Sequence, residues 1–151
     1  MKKFRFSLET VLDYKQQVLD ALQTEHATIL AQVRAQEDYL EGLETDYRET
    51  DAEFTERKLE GIAIVDAMRY EQYLRAMERQ IQQAAYRLEE LQRQAEAKRE
   101  EVVEAKKDTS SIEKLKEKKL DSYNKAVEKS EEAMIDEFVS TKRAMAAMQT
   151  A

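Results

Sequence analysis

Few residues in this 151-residue chain could do chemistry, and their spacing speaks against a catalytic centre. His26 is the one histidine and there is no Cys. A metal site would therefore lack further nitrogen or sulfur donors, and no disulfide framework or cysteine-ligated cluster can form. Acid pairs such as Glu89–Glu90 and Glu131–Glu132 are adjacent in sequence, so on a helix they point to different parts of the surface rather than at one substrate. Gly42 and Gly61 are the only glycines, which leaves nothing to build a phosphate-cradling loop. The sequence predicts no cofactor, no metal and no enzymatic activity. Basic residues alternate with acids throughout, whereas phosphate backbones want a patch of one sign, so nucleic acid is not an expected partner.

What remains suits recognition rather than reaction. Tyr39, Tyr47, Phe54, Tyr70 and Tyr73 lie close together around the middle of the chain, and tyrosines on rigid helices are favoured anchors for partners. Phe4 and Phe6 precede the first helix. Lys114, Lys116, Lys118 and Lys119 form a basic run with Tyr123 just beyond it. The net charge of −7 is concentrated, because residues 35–60 carry three basic residues against ten acidic ones. Such an excess can steer a basic partner.

The elements that position these residues are long helices. Charged residues make up 38%, Pro is absent, and two glycines leave little from which to make turns. Spacings alternating four and three pick out Leu8, Leu12, Lys15, Leu19, Leu22, His26, Ile29, Val33, Gln36, Leu40, Leu43, Tyr47, Thr50 and Phe54, of which ten of fourteen are apolar. A second seam runs through Tyr70, Leu74, Met77, Ile81, Ala84, Leu88, Leu91, Ala95, Lys98, Val102, Ala105, Thr109 and Ile112, with eleven of thirteen apolar. A sustained period of 3.5 is the signature of a coiled-coil seam. On such a seam His26 reads as a polar residue that sets register.

Gly61 is the residue expected to leave the first helix in a left-handed conformation. Asp66 reads as the cap of the second helix, with Val65 and Tyr70 as its hydrophobic staple. The predicted fold is all-α: a long antiparallel two-helix coiled-coil hairpin with the second helix projecting beyond the first. Residues 1–151 form one domain, with helix one at about 8–58, a turn at about 59–65 and helix two at about 66–146. The stripe Leu120, Tyr123, Val127, Met134, Phe138, Met145 and Met148 continues past the paired part, with slips in phase near Lys116 and Glu131. A rival arrangement breaks the helix at 108–111, where Ser110 and Glu113 match a capping box, and folds a third helix back. A parallel homodimeric rod is a further rival, whereas the turn signals favour a hairpin that is a monomer when free. The longest apolar runs, Ile62–Val65 and Ala144–Met148, are far too short to span a membrane. The opening Met-Lys-Lys-Phe-Arg-Phe lacks the apolar core of a signal peptide. These features lead us to expect a soluble, intracellular chain.

Three stretches resemble a known family. Phe4-Arg-Phe-Ser-Leu-Glu-Thr-Val-Leu-Asp-Tyr-Lys15 is similar to the opening of FliJ proteins of the bacterial flagellar type III export apparatus. Gly61-Ile-Ala-Ile followed by Tyr70-Glu-Gln-Tyr-Leu74 is similar to their turn and second-helix start. Ile112-Glu-Lys-Leu-Lys-Glu-Lys-Lys-Leu120 with Asp136-Glu-Phe138 is similar to their C-terminal stretch. The resemblance implies a stalk-like coiled coil that binds the hexameric export ATPase, promotes assembly of its ring, and contacts the large membrane subunit of the export gate. It implies a cytoplasmic protein, peripheral at the inner membrane at the flagellar base, with no insertion into the membrane. By the same resemblance Phe4, Phe6, Lys114, Lys116, Lys118, Lys119 and Tyr123 would face the ATPase, and Gln36, Leu40, Leu43, Tyr47, Tyr73 and Met77 would face the gate. Five of those six gate residues also fall on the two seams, a tension that only a structure resolves. The alternative is an export chaperone or adaptor that escorts secretion substrates or other chaperones, using Met134, Phe138, Met145 and Met148 as an adaptable surface.

Overall fold

A computed structural model describes residues 2–150; Met1 and Ala151, the outermost residues of the expected domain, lie outside it. The fold is all-α. Two long helices, α1 (Glu9–Glu60) and α2 (Ile64–Gln149), pack against each other, and no strand occurs among the described residues. The chain divides into two compact units, one of residues 1–19 with 105–151 and one of residues 20–104.

In the unit of residues 20–104, the two helices are antiparallel. Glu25 meets Lys98, Gln36 meets Ala84, Tyr47 meets Glu78 and Phe54 meets Tyr70, so residue numbers fall on α2 as they rise on α1. Val33, Leu91 and Ala95 form a buried cluster with Ile29 and Leu88 packed on it. Phe54, Leu74, Met77 and Ala84 are buried as well. In the unit of residues 1–19 with 105–151, Phe6, Leu12, Ala105 and Thr109 are buried. There Lys15 pairs with Asp108 at 3.8 Å and Glu9 with Lys116 at 2.9 Å. Every position of both predicted seams is buried or half-buried, because each stripe is the cover for the other.

Gln36, Lys98 and Thr109, polar positions on the seam, find partners across it instead of breaking it. The Gln36 amide donates to the Ala84 carbonyl at 3.0 Å. Lys98 reaches Glu25 at 2.9 Å and Glu101 at 2.8 Å. The Thr109 hydroxyl, in a residue only 3% exposed, donates within its own helix to the Ala105 carbonyl at 2.8 Å and lies 3.4 Å from the Lys15 carbonyl across the seam. Such residues stabilise one register over its neighbours because a slip would leave a half-buried polar group without its partner.

Gly61 has φ of +100° and ends α1 as expected, since this region of backbone is open to glycine and strained for other residues. The start of α2 corrects the expected cap. The helix begins at Ile64, with the Ala67 amide bonded to the Ala63 carbonyl, so Asp66 lies inside the first turn. Its carboxylate there still favours the positive end of the helix dipole. The Val65–Tyr70 staple does not form: Val65 is 61% exposed, and Tyr70 stacks on Phe54 at 4.9 Å instead.

The third-helix arrangement is also overturned, because α2 is continuous through 108–111. The hydroxyls of Thr109 and Ser111 turn back to the carbonyls of Ala105 and Lys107. That local bonding lets Ser and Thr sit within a helix without ending it. From Glu131 to Gln149 every residue of α2 is exposed.

Candidate functional site

The two units each carry a group of exposed or polar side chains held in place by the packing beneath. In the turn unit, Tyr47 projects from α1 and donates its hydroxyl to Glu78 of α2 at 2.9 Å. Arg75 donates to the same carboxylate at 2.8 Å and is also paired with Glu71. The Arg75 hydrogen bond, with that of Tyr47 added, holds the Glu78 carboxyl below its ordinary range. The hydrogen bond to Glu78 in turn raises the Tyr47 phenol above its ordinary value. Favouring the charged carboxylate and the neutral phenol is what a hydrogen bond between them does.

Nearer the turn, Tyr70 lies parallel to Phe54 and donates to Glu53 at 3.0 Å, while Arg57 donates to the Tyr70 hydroxyl at 3.2 Å. Phe54 is almost fully buried at 3% exposure, and the Lys58 ammonium sits 4.1 Å from its ring centre. A shallow groove on one side of this stack is lined by Glu53, Arg57, Asp66, Arg69, Tyr70 and Tyr73. This end of the unit is thus a rigid aromatic platform carrying mixed charge. It can bind by stacking and ion pairing.

Of the six residues that the resemblance assigned to the gate, Tyr73 alone is exposed, at 53%. Gln36, Leu40, Leu43 and Tyr47 are half-buried in the seam, and Met77 is buried. Tyr47 still presents its hydroxyl edge beside Glu78, and Tyr39, also exposed, is one residue from Leu40. The surface within reach of a partner here is therefore Tyr73 with the edges of Tyr47 and Tyr39.

In the other unit, the segment before α1 lies against α2. Tyr123 donates its hydroxyl to the Lys2 carbonyl at 2.6 Å, and its ring meets Phe4 at 5.5 Å. Phe6 is buried, and the Glu9 amide closes a turn on the Phe6 carbonyl at 3.2 Å. Lys116 is half-buried in its pair with Glu9. Four of the seven residues assigned to the ATPase thus hold the N-terminal segment in place: Phe4, Phe6, Lys116 and Tyr123. Lys114, Lys118 and Lys119 are exposed, as are Lys2, Lys3 and Arg5. Lys114 and Lys118 are four residues apart and share one helix face.

The sequence leaves Phe4 and Phe6 either to cover the end of the hairpin or to insert into something else; the structure sets Lys2 and Phe4 against Tyr123 and buries Phe6. The signal was present in the alternation of Phe4 and Phe6, which an extended segment turns to one side. Farther along α2, Met134, Phe138, Met145 and Met148 are between 63% and 81% exposed. No group of histidine, cysteine or acid residues able to hold a metal occurs among the described residues. Within the same residues, no helix is long and apolar enough to cross a membrane.

A protein-family model described as "Flagellar FliJ protein" matches residues 4–147 of the chain. No curated protein and no solved structure matches it.

Proposed function

The chain belongs to the FliJ family and is a component of the flagellar export apparatus, and on that premise we propose that it serves there as a stalk-like coiled coil for the export ATPase. In this reading the unit of residues 1–19 with 105–151 binds the hexameric ATPase and promotes assembly of its ring. The unit of residues 20–104 contacts the large membrane subunit of the export gate. The chain works in the cytoplasm, peripheral to the membrane at the flagellar base, and as a monomer until it meets these partners. The observation that supports the reading best is that the family match spans both helices, so the exposed Lys114, Lys118 and Lys119 and the exposed Tyr73 all fall inside it.

The FliJ family is a non-catalytic export component, and hydrolysis belongs to the ATPase. The mechanism we propose is mechanical. A ligand shifts a conformational equilibrium only by its difference in affinity for the two states. A two-helix coiled coil is not symmetric about its own axis, so the subunits of a ring around it meet different faces. Each subunit is then biased differently, and binding at one is coupled to turnover at the next. Exposed lysines supply charge contacts at the rim of such an interface, where they set the rate and orientation of encounter.

Lys114→Glu together with Lys118→Glu tests this reading. Both side chains are exposed, so the helices should be unaffected, whereas Lys116 is a poor choice because its reversal would set an acid against Glu9. The double variant is expected to bind the purified export ATPase more weakly with an unchanged circular dichroism spectrum. Undiminished affinity would overturn the assignment of this face. A second reading, an export chaperone or adaptor, is favoured by the exposed Met134, Phe138, Met145 and Met148, since methionine-rich surfaces adapt to varied partners. It predicts that Met134→Ser with Phe138→Ser abolishes binding to export chaperones and leaves ATPase binding intact.

A further inference from the structure

The turn of residues 20–104 exposes apolar side chains that neither the seam nor the contacts described above use. Leu59 is 85% exposed and Ile64 79%, with Val65 at 61% and Met68 at 57%. Ile62 is half-buried beside them. A shallow groove on this side is lined by Phe54, Lys58, Ile62, Ile64, Ala67 and Met68. The turn itself does not require these residues, because Gly61 supplies its unusual backbone angle and polar side chains would serve as well around it. A contiguous exposed apolar patch with a charged surround is the usual mark of an interaction site.

We propose that this apex is a plug that inserts into an apolar pocket with a basic rim on a partner protein. Charge selects that occupant. Residues 35–60 hold ten acids against three bases. Glu49, Asp51, Glu56 and Glu60 are exposed. Of the cations near the turn, Arg57 bonds to Tyr70, Lys58 lies over Phe54 and Arg75 pairs with Glu71 and Glu78, while Arg69 stands exposed beside Tyr70; the seven acids of residues 49–75 still outnumber these four bases. An anionic lipid surface would repel such an acidic surround. A second copy would bring two acidic excesses together. A pocket rimmed by Lys or Arg is attracted to it over about a Debye length and is steered into register.

The proposal rests on the gate reading above and extends that contact from Tyr73 to the turn. The full chain is titrated against the purified cytoplasmic domain of the gate's large subunit, alongside Leu59→Ser with Ile64→Ser. These two side chains touch little else, so helix content by circular dichroism should be unchanged. Binding is expected to weaken at least about tenfold, as for removal of two apolar anchors. Glu56→Lys with Glu60→Lys is expected to weaken it severalfold at low salt and not at about 1 M salt, where the Debye length is about 3 Å.

Tyr73→Ala separates the two ideas. Loss of binding on Tyr73→Ala with full binding by Leu59→Ser/Ile64→Ser overturns the plug and leaves the gate reading standing. Failure of the unaltered chain to bind the gate domain overturns the gate reading and the plug with it. Binding of the unaltered chain to phosphatidylglycerol vesicles, or its dimerisation, overturns the protein pocket if the Leu59→Ser/Ile64→Ser change abolishes it.

Discussion

The same substitution, glycine to alanine, should have opposite effects at the two glycines of this chain. Gly42 lies within α1, is exposed, and a Cβ built on it meets nothing within 4 Å. Alanine there removes the entropic penalty of glycine in a helix, which stabilises by about 0.5–1 kcal/mol. Gly61 also has open space around its Cβ, but its φ is +100°. Space is therefore not the difference between the two sites; backbone angle is. Holding an L-residue in so sparsely populated a region costs about 1–3 kcal/mol. The loss of freedom in the unfolded chain returns about 0.4–1 kcal/mol, leaving Gly61→Ala destabilised by about 1–2 kcal/mol. At this chain length each kcal/mol moves Tm by about 2–4 °C, so the two variants should separate by about 3–12 °C. Urea and thermal unfolding followed by circular dichroism at the helix band would measure both. A rise for Gly61→Ala, or a fall for Gly42→Ala, would refute the reasoning from backbone angle.

Three further outcomes follow from the packing, the hydrogen bonds and the charges. Leu91, 3% exposed at the centre of the Val33–Ala95 cluster, should lose about 2–4 kcal/mol on mutation to Ala, and Leu59→Ala should stay within about 0.5 kcal/mol; equal effects in urea titrations would contradict the seam. Because the Glu78 carboxyl is lowered, chiefly by Arg75, its contribution to stability is full above the ordinary carboxylate pKa and is lost as pH falls through the lowered value. Arg75→Gln should flatten that acid limb of the urea midpoint against pH, and an unchanged limb would count against the pairing. The Tyr47 phenol is raised by Glu78, so its contribution is full below the ordinary phenol pKa of about 10 and is lost as pH rises through the raised value. Tyr47→Phe should remove that alkaline loss, and persistence of the loss would assign it elsewhere.

Most of the fold was legible because a coiled-coil seam is written in spacing. Every position picked out by the alternation of four and three, from Leu8 to Phe54 and from Tyr70 to Ile112, turned out buried or half-buried. Gly61 was legible because so few residues could make the turn. What misled were short motifs read without tertiary context. Ser110 and Glu113 match a capping box, yet Thr109 and Ile112 are held in the seam and the hydroxyls on either side of Ser110 bond back along the helix. Packing over several turns outweighs one cap. Asp66 misled in a similar way, because its preference for a helix start is met equally well inside the first turn.

The interaction surfaces were harder to read than the fold. Spacing says which side chains face the other helix, but not which edge of a half-buried residue remains accessible. Gln36 is half-buried in the seam and Met77 buried, while Tyr73, one position before Leu74, is open. The run Ile62–Val65 was visible in the sequence as the longest apolar stretch near the turn. That Ala63, Ile64 and Val65 would stand exposed, with Ile62 half-buried, followed only from where α2 begins.

The stalk role proposed for the chain is tested most directly at the export ATPase. The direct measurement is ATP turnover by the purified cognate export ATPase, with and without this chain, together with sizing of the ATPase at the same concentrations. The account predicts faster turnover and a larger hexamer fraction when the chain is present, with both effects reduced by Lys114→Glu/Lys118→Glu. Unchanged turnover with no co-migration of the chain and the ATPase would contradict it.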